Sequence, residues 1–382
     1  MKLSRGELFQ VPPRWLLLRL ETDDGFVGWG EPIVEGRAAT VARATEELLE
    51  YVLGRDPRQI EDIVQTLYRG GFYRGGPVLT SALSGIEQAL WDIKGKALGV
   101  PIYELLGGRV RDRMRVYAWV GGDRPEDAVA DTLRRIEQGY EVVKMNATSE
   151  MGYLESAAAI DDAVKRVAAV REAVGDRVDI ALDFHGRVHT AQAARLLQAL
   201  EPLHPLFVEE PVLPEHLQAL PELARRTSIP LATGERMYMR WGFRDLLERG
   251  GVAIVQPDVS HAGGIWETRK IAAMAETYDV GLAPHCPLGP VALAAALQVD
   301  ACTPNAVIQE ESLGIHYNVN GELDTYLIDA SWLVPSAGYV SFPDAPGLGI
   351  TLDEERIRAS AGQPIAWRNP VWRLADGSVA EW

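Results

Sequence analysis

Six residues that each close a short apolar run, Asp183, Glu209, Glu235, Asp258, His285 and Glu310, follow one another at intervals of 26, 26, 23, 27 and 25 residues. One βα unit of a barrel takes about that length, since eight units fill roughly 250 residues. The runs belong to a longer series: "VYAWV", "VVKMN", "VDIALD", "LFVEE", "LATGE", "AIVQPD", "VGLAPH" and "AVIQE". Amphipathic helices lie between them. Ala163, Val167, Val170 and Val174 share one helical stripe, and Gly175 is placed to stop that helix. Eight strands alternating with helices from about Met114 onward predict a (β/α)₈ barrel. A doubly wound sheet would alternate in the same way, but no GxGxxG follows the first strand. In a barrel all six strand-end groups project onto the C-terminal face, where barrel enzymes keep their active sites.

The residues before Met114 have a different order, with strands first and helices after. "WLLLRLETDDGFVGWGE" reads as a hairpin turning at Asp23, Asp24 and Gly25. "ATVARATEELLEYVLG" and "SALSGIEQALWDIKGKALG" carry apolar residues at helical spacing, and each ends in a glycine, Gly54 and Gly99. We therefore expect an α+β domain over 1–113, the barrel over 114–330 and a C-terminal segment over 331–382. That last segment is rich in Pro, Gly and Trp ("AWRNPVW") and is expected to return over the N-terminal domain.

Composition narrows the partners. A formal charge of −16 argues against nucleic acid and anionic membrane surfaces, which attract basic faces. A small anionic substrate stays possible, because a bound cation inverts the local field. Cys286 and Cys302 have neither disulfide-framework nor zinc-cage spacing. "MKLSRGELFQ" lacks a signal-peptide core, and no run of about 18 apolar residues occurs. A soluble cytoplasmic protein, forming a homo-oligomer, is the expectation.

Asp183, Glu209 and Glu235 on three adjacent strands would repel one another if unpaired, and hard oxygen ligands of this kind suit Mg²⁺. In "VEEP" and "IQEES" the acids come in pairs, and strand alternation lets only one of each pair face inward. Glu209 and Glu310 are the expected inward members, with Glu210 and Glu311 packing outside. Alternation also turns His185 to the same face as Asp183.

"ALDFHGR", "FVEEP", "ATGER", "QPDVSHAGGI" and "LAPHCPLGP" resemble the successive motifs of the mandelate racemase subgroup of the enolase superfamily. Within it the D-galactonate dehydratases resemble the chain from "VPPRW" to "WRNPVW" and "SVAEW". The resemblance implies a modified TIM barrel under an N-terminal α+β capping domain completed by the C-terminal segment. It also implies Mg²⁺ on Asp183, Glu209 and Glu235, and removal of the proton α to a carboxylate. Enolase-superfamily sites are a standard instance of a Lys or His base working beside Mg²⁺.

Racemases of that subgroup carry "KxK" on the second strand, whereas this chain has "KMN". Asn146 carries no proton at neutral pH, so two-base racemisation lacks one base. Two histidines remain. Asp258 can hydrogen-bond His285 and raise its basicity. Strands three and seven of a ring of eight lie opposite, which suits elimination from a sugar acid bound between them. His285 takes the C2 proton and His185 protonates the C3 hydroxyl as it leaves, the roles the dehydratases have at matching histidines. Glu310 matches a carboxyl group that donates, protonated, to the developing enediolate. Lys144 and Asn146 are candidate substrate contacts, Lys144 alternatively pairing with the metal-site acids. His189, His204, His216 and His261 read as structural, and His316, just after the eighth strand, is a less favoured candidate for touching substrate. Arg14, Tyr73 and Arg74 lie in capping loops expected to close over the barrel mouth. Competing readings are a dehydratase or epimerase for another aldonate or diacid, and a metal-binding barrel without catalysis.

Overall fold

The computed structural model describes every residue except 123, 317, 364, 366 and 382. "LGIHYN", "AWRNPVW" and "SVAEW" each include one residue outside that set. The chain opens with β1 (Leu3–Val11), β2 (Trp15–Thr22) and β3 (Val27–Gly30), an antiparallel sheet in that order. The turn between β2 and β3 falls at Asp23–Phe26, with Gly25 at φ +89°. Helices α1 (Ala38–Leu49), α2 (Ile60–Arg69) and α3 (Pro77–Leu98) follow. The helix expected to reach Gly54 stops at Leu49, and the chain covers the last stretch in turns. Strand β3 lies on α3 backbone to backbone. A Cβ on Gly30 would stand 1.8 Å from the carbonyl oxygen of Gly85, so only glycine permits this approach.

After a short helix, α4 (Ile102–Leu105), comes the barrel. Its strands are β4 (Arg113–Val120), β5 (Val142–Asn146), β6 (Asp179–Asp183), β7 (Val208–Glu209), β8 (Leu231–Thr233), β9 (Ile254–Val255), β10 (Gly281–Leu282) and β11 (Gln309–Glu311). All pair in parallel, in sequence order from β4 to β10, with β11 on the other side of β4. Backbone hydrogen bonds between Leu282 and residues 305 and 307 join β10 to the run entering β11 and close the ring. The crossovers carry α5 (Pro125–Glu137), α6 (Ala157–Val174), α7 (Thr190–Leu200), α8 (Leu220–Ala224), α9 (Met239–Arg249), α10 (Ile265–Thr277) and α11 (Pro290–Ala301). Among the described residues no α-helix follows β11 before β12 (Tyr339–Ser341), which adds antiparallel to β4. The last helix, α12 (Glu354–Ser360), returns to β1, where Arg358 bridges to Glu7 at 2.9 Å. This is a modified TIM barrel with an N-terminal capping domain. No described helix is long and apolar enough to cross a membrane.

Inside the ring, Tyr117, Val142, Ala181, Phe207, Ala232, Ala283 and Ile308 form one packed layer, with Ile254 against it. Because side chains alternate along a strand, residues two positions further on also point inward. Those residues include Trp119, Lys144, Asp183, Glu209, Gln256, His285 and Glu310. Glu235 is three beyond Ala232, and Gly234 at φ +145° absorbs the extra residue.

The cap meets the barrel through buried polar groups of α3 and its neighbouring loop. Glu87 accepts from the backbone N–H groups of Ile265 and Trp266 at 2.7 and 2.8 Å and from the Trp91 indole at 2.7 Å. Glu31 accepts from Gly289 and Ala292 at 2.7 and 3.0 Å. Each carboxylate thus takes N–H groups at the start of a barrel helix, α10 or α11, where the positive end of the helix dipole lies. Glu87→Ala would leave several buried donors without a partner. We expect about 3 kcal/mol of lost stability and a lower thermal midpoint, measurable by calorimetry. An unchanged midpoint would show that the cap docks by other means.

Candidate active site

The strand ends line a cavity of about 430 Å³ between barrel and cap. Lys144, buried at 1% exposure, sits at its floor. Its ammonium nitrogen is 2.9 Å from both carboxylate oxygens of Glu209 and 2.8 Å from Glu310, under the rings of Tyr117 and Trp119. Burial alone would lower the Lys144 pKa, but the two carboxylates outweigh it and push it well up. Of the alternatives for Lys144, the one seen here is pairing with the acids. One ammonium serves both carboxylates. Burial opposes ionisation of Glu310, yet Lys144, His285 and the Cys286 N–H at 2.8 Å outweigh it and hold Glu310 below the usual range.

Glu209 is pushed up to about 7 by burial, with Asp183 and Glu310 adding to the rise. Burial and the charge of Glu210 push Glu235 well up. Asp183 lies beside Glu209 in strand register, and His185 and Lys144 outweigh its burial to hold it low. Among the described residues no three of His, Cys, Asp and Glu close around one point as the side chains stand. Even so, three carboxylates at adjacent strand ends, Asp183 and Glu209 buried and Glu235 half-buried, form a hard oxygen donor set that fits a divalent cation. Asn146 adds a buried side-chain oxygen with no hydrogen-bond partner among the described residues, and it lines the same cavity.

Both histidines line the cavity, from strands four places apart in the ring. The Nδ1 of His285 is 2.8 Å from Asp258, while its Nε2 is 3.8 Å from Glu235 and 4.0 Å from Glu310. Burial would lower the His285 pKa, but these three carboxylates raise it well above the ordinary value. His185 reaches the cavity differently from the expected strand alternation. Strand β6 ends at Asp183, and His185 at φ +53° with Gly186 at φ +55° makes a left-handed turn. The His185 backbone N–H donates to Asp183 at 2.5 Å, and its Nδ1 lies 3.4 Å from the same carboxylate. A side chain on Gly186 would collide with the Arg236 guanidinium, which is paired with Glu210.

Glu209 faces into the ring. Glu210 lies at the mouth against Arg236, and Glu311 faces away, accepting from the Tyr140 hydroxyl at 2.7 Å. Other cavity groups were missed in the sequence. His261, read as structural, lines the wall, because the turn after β9 folds its N–H back to the Asp258 carbonyl at 3.0 Å. Its ring bridges Ser81 of α3 at 2.9 Å and Glu35 of the cap at 3.5 Å. His316, the less favoured candidate, also lines the cavity, as do Trp367, Asn369 and Trp372 of the C-terminal segment. Of Arg14, Tyr73 and Arg74, it is Arg14 that lines the cavity. Tyr73 and Arg74 border a separate groove on the cap.

Residues 10–107 match the mandelate racemase/muconate lactonizing enzyme N-terminal domain, and residues 127–356 match the enolase C-terminal domain-like family. The chain belongs to the enolase superfamily, in its mandelate racemase/muconate lactonizing branch. It is 60% identical to a D-galactonate dehydratase of Variovorax paradoxus (strain S110) and 56% identical to one of Ralstonia nicotianae, each match covering 100% of both chains. Among solved structures, an enolase from Agrobacterium radiobacter with sodium and L-malate bound is 33% identical, with a TM-score of 0.91 over 100% of both chains.

Glu311 supplies a pH prediction. Burial pushes its carboxyl up to about 8, against an ordinary 4.5. A group with a raised folded pKa contributes stability that is complete below the unfolded value and is lost as pH rises through the folded one. Glu311→Gln should therefore gain on the wild type between pH 7 and 9 by about 1 kcal/mol. Parallel thermal melts at the two pH values check this, and a constant gap would contradict it.

Proposed function

We propose that this chain is a hydro-lyase that converts D-galactonate to 2-dehydro-3-deoxy-D-galactonate. The observation that carries the reading is a pair of histidines lining one cavity, one of them backed by a carboxylate at 2.8 Å and the other following a strand four places away in the ring. The full-length likeness to two D-galactonate dehydratases supports it. The cavity is large enough for a six-carbon acid.

Asp258 accepts from Nδ1–H of His285 and selects the tautomer that turns Nε2 to the cavity. His285 is the base for the C2 proton. His185, in the turn after the strand four places round the ring, gives its proton to the C3 hydroxyl, which leaves as water. The remaining enol takes a proton at C3 and becomes the 2-keto, 3-deoxy acid, so the atoms balance. Asp183, Glu209 and Glu235 are the residues that would hold Mg²⁺, whose chemistry there is to neutralise charge gathering on the substrate carboxylate as C2 is deprotonated. Lys144 pairs with Glu209 and Glu310 and holds both in place. An epimerase needs a second base at the Lys144–Asn146 strand. Lys144 is held by two carboxylates, and Asn146 cannot act as one.

Wild type with Mg²⁺ and D-galactonate should form a 2-keto acid, trapped as its semicarbazone. His285→Asn should abolish both dehydration and exchange of the C2 proton with D₂O. His185→Asn should block dehydration while slow C2 exchange persists. Dehydration by the His185 variant, with exchange retained by the His285 variant, would reverse the two roles. Separately, Glu209→Gln should weaken Mg²⁺ binding in titration calorimetry by at least about tenfold. Unchanged affinity would remove Glu209 from the metal site.

A further inference from the structure

Glu35 is a carboxylate that the proposed chemistry does not use. It stands in the loop between β3 and α1, on the cap side of the cavity, with its side chain 21% exposed. The Nε2 of His261 is 3.5 Å from it, and the Arg14 guanidinium is 3.8 Å away. Burial would raise Glu35, but these two neighbours outweigh it and hold it well below the usual range. The adjacent Gly36, at φ +70°, packs so closely on Asn369 that an added Cβ would lie 2.5 Å from its amide oxygen. The loop is thus pinned from both sides.

The distance to the reacting end is bounded. His261 Nε2 lies 3.8 Å from Asp258 Oδ2, which is 2.8 Å from His285 Nδ1, so these steps cap the separation of Glu35 and the near side of the His285 ring, Nδ1, at about 10 Å, with the base Nε2 one ring width beyond. A six-carbon acid with C2 at the base extends four more C–C bonds of about 1.5 Å each. One hydrogen bond of about 2.8 Å from the last hydroxyl spans what remains. Resting on the aldonate reading above, we infer that Glu35 reads the far end of the substrate, accepting the terminal hydroxyl of an aldonate and rejecting the second carboxylate of a diacid.

The chemistry separates the two ends. A hydroxyl donates to Glu35 and still accepts from a neighbour, whereas a carboxylate only accepts. The cations near Glu35 are already engaged. Arg14 donates to the Pro287 carbonyl and stacks under Trp367 at 5.3 Å, and His261 is bracketed by Ser81, Glu35 and Asp258. A distal carboxylate would therefore meet a half-buried like charge without paired donors of its own, a costly arrangement.

The test compares D-galactonate with galactarate, which differs from it only by oxidation of C6 to a carboxylate. Wild type should favour D-galactonate in kcat/KM by at least about 100-fold. Glu35→Gln should shrink that ratio by about tenfold or more, chiefly through a lower KM for the diacid. Glu35→Asp keeps the charge and should keep most of the discrimination. A ratio that Glu35→Gln leaves within about twofold, or that Glu35→Asp relaxes equally, overturns the inference. Should the variants fail to fold, wild type alone decides. The 6-deoxy analogue should show a KM raised about tenfold, and an equal KM overturns the inference. Wild type inactive on D-galactonate defeats the proposed function and this inference together, whereas an active wild type with unaltered ratios defeats only the latter.

Discussion

Glu31 and Glu87 belong to the cap, yet each spends its carboxylate on the first N–H groups of a barrel helix. A helix N-terminus buried without acceptors would be costly, and an anion there is favoured by the dipole. The two contacts hold the halves in one relation, and the cavity between the halves inherits its shape from it. Glu35 stands four residues past Glu31. Ser81, Ser84 and Gln88 of α3 bond to His261, Gly263 and Ser260, in the turn that follows Asp258. The cap that closes the site therefore also steadies the carboxylate behind His285.

Charge is the second constraint. Asp183, Glu209, Glu235 and Glu310 stand at strand ends around a floor where the buried Lys144 ammonium is shared by Glu209 and Glu310. Burial, with Asp183 and Glu310, pushes Glu209 up in spite of Lys144, whereas at Glu310 Lys144, His285 and the Cys286 N–H outweigh burial. A low-dielectric site with surplus negative charge draws a cation, and it raises a nearby imidazole in the same way.

Much of the barrel could be read beforehand because side-chain alternation and the βα repeat are local properties. The spacing of Asp183, Glu209, Glu235, Asp258, His285 and Glu310 needed only strand length and crossover length to place them on one rim. The choice of Glu209 over Glu210 followed from period two, and in the structure the members of each acid pair face opposite ways. His185 was harder. Its place depends on a left-handed turn, a backbone state that a strand-alternation argument does not contain.

The residues that escaped notice share one cause. Glu35, His261, Trp367, Asn369 and Trp372 carry no periodic signal, and they meet across as many as 337 positions of chain (Glu35 to Trp372). Local sequence determined the strands, their inward faces and the acids and histidines at their ends, because those follow from backbone geometry repeated every few residues. Which loops of the cap reach the mouth, which of Arg14, Tyr73 and Arg74 enters it, and how one lysine divides its charge between two glutamates were decided only in the folded chain. Those outcomes depend on distances between segments, and burial turns such distances into energy.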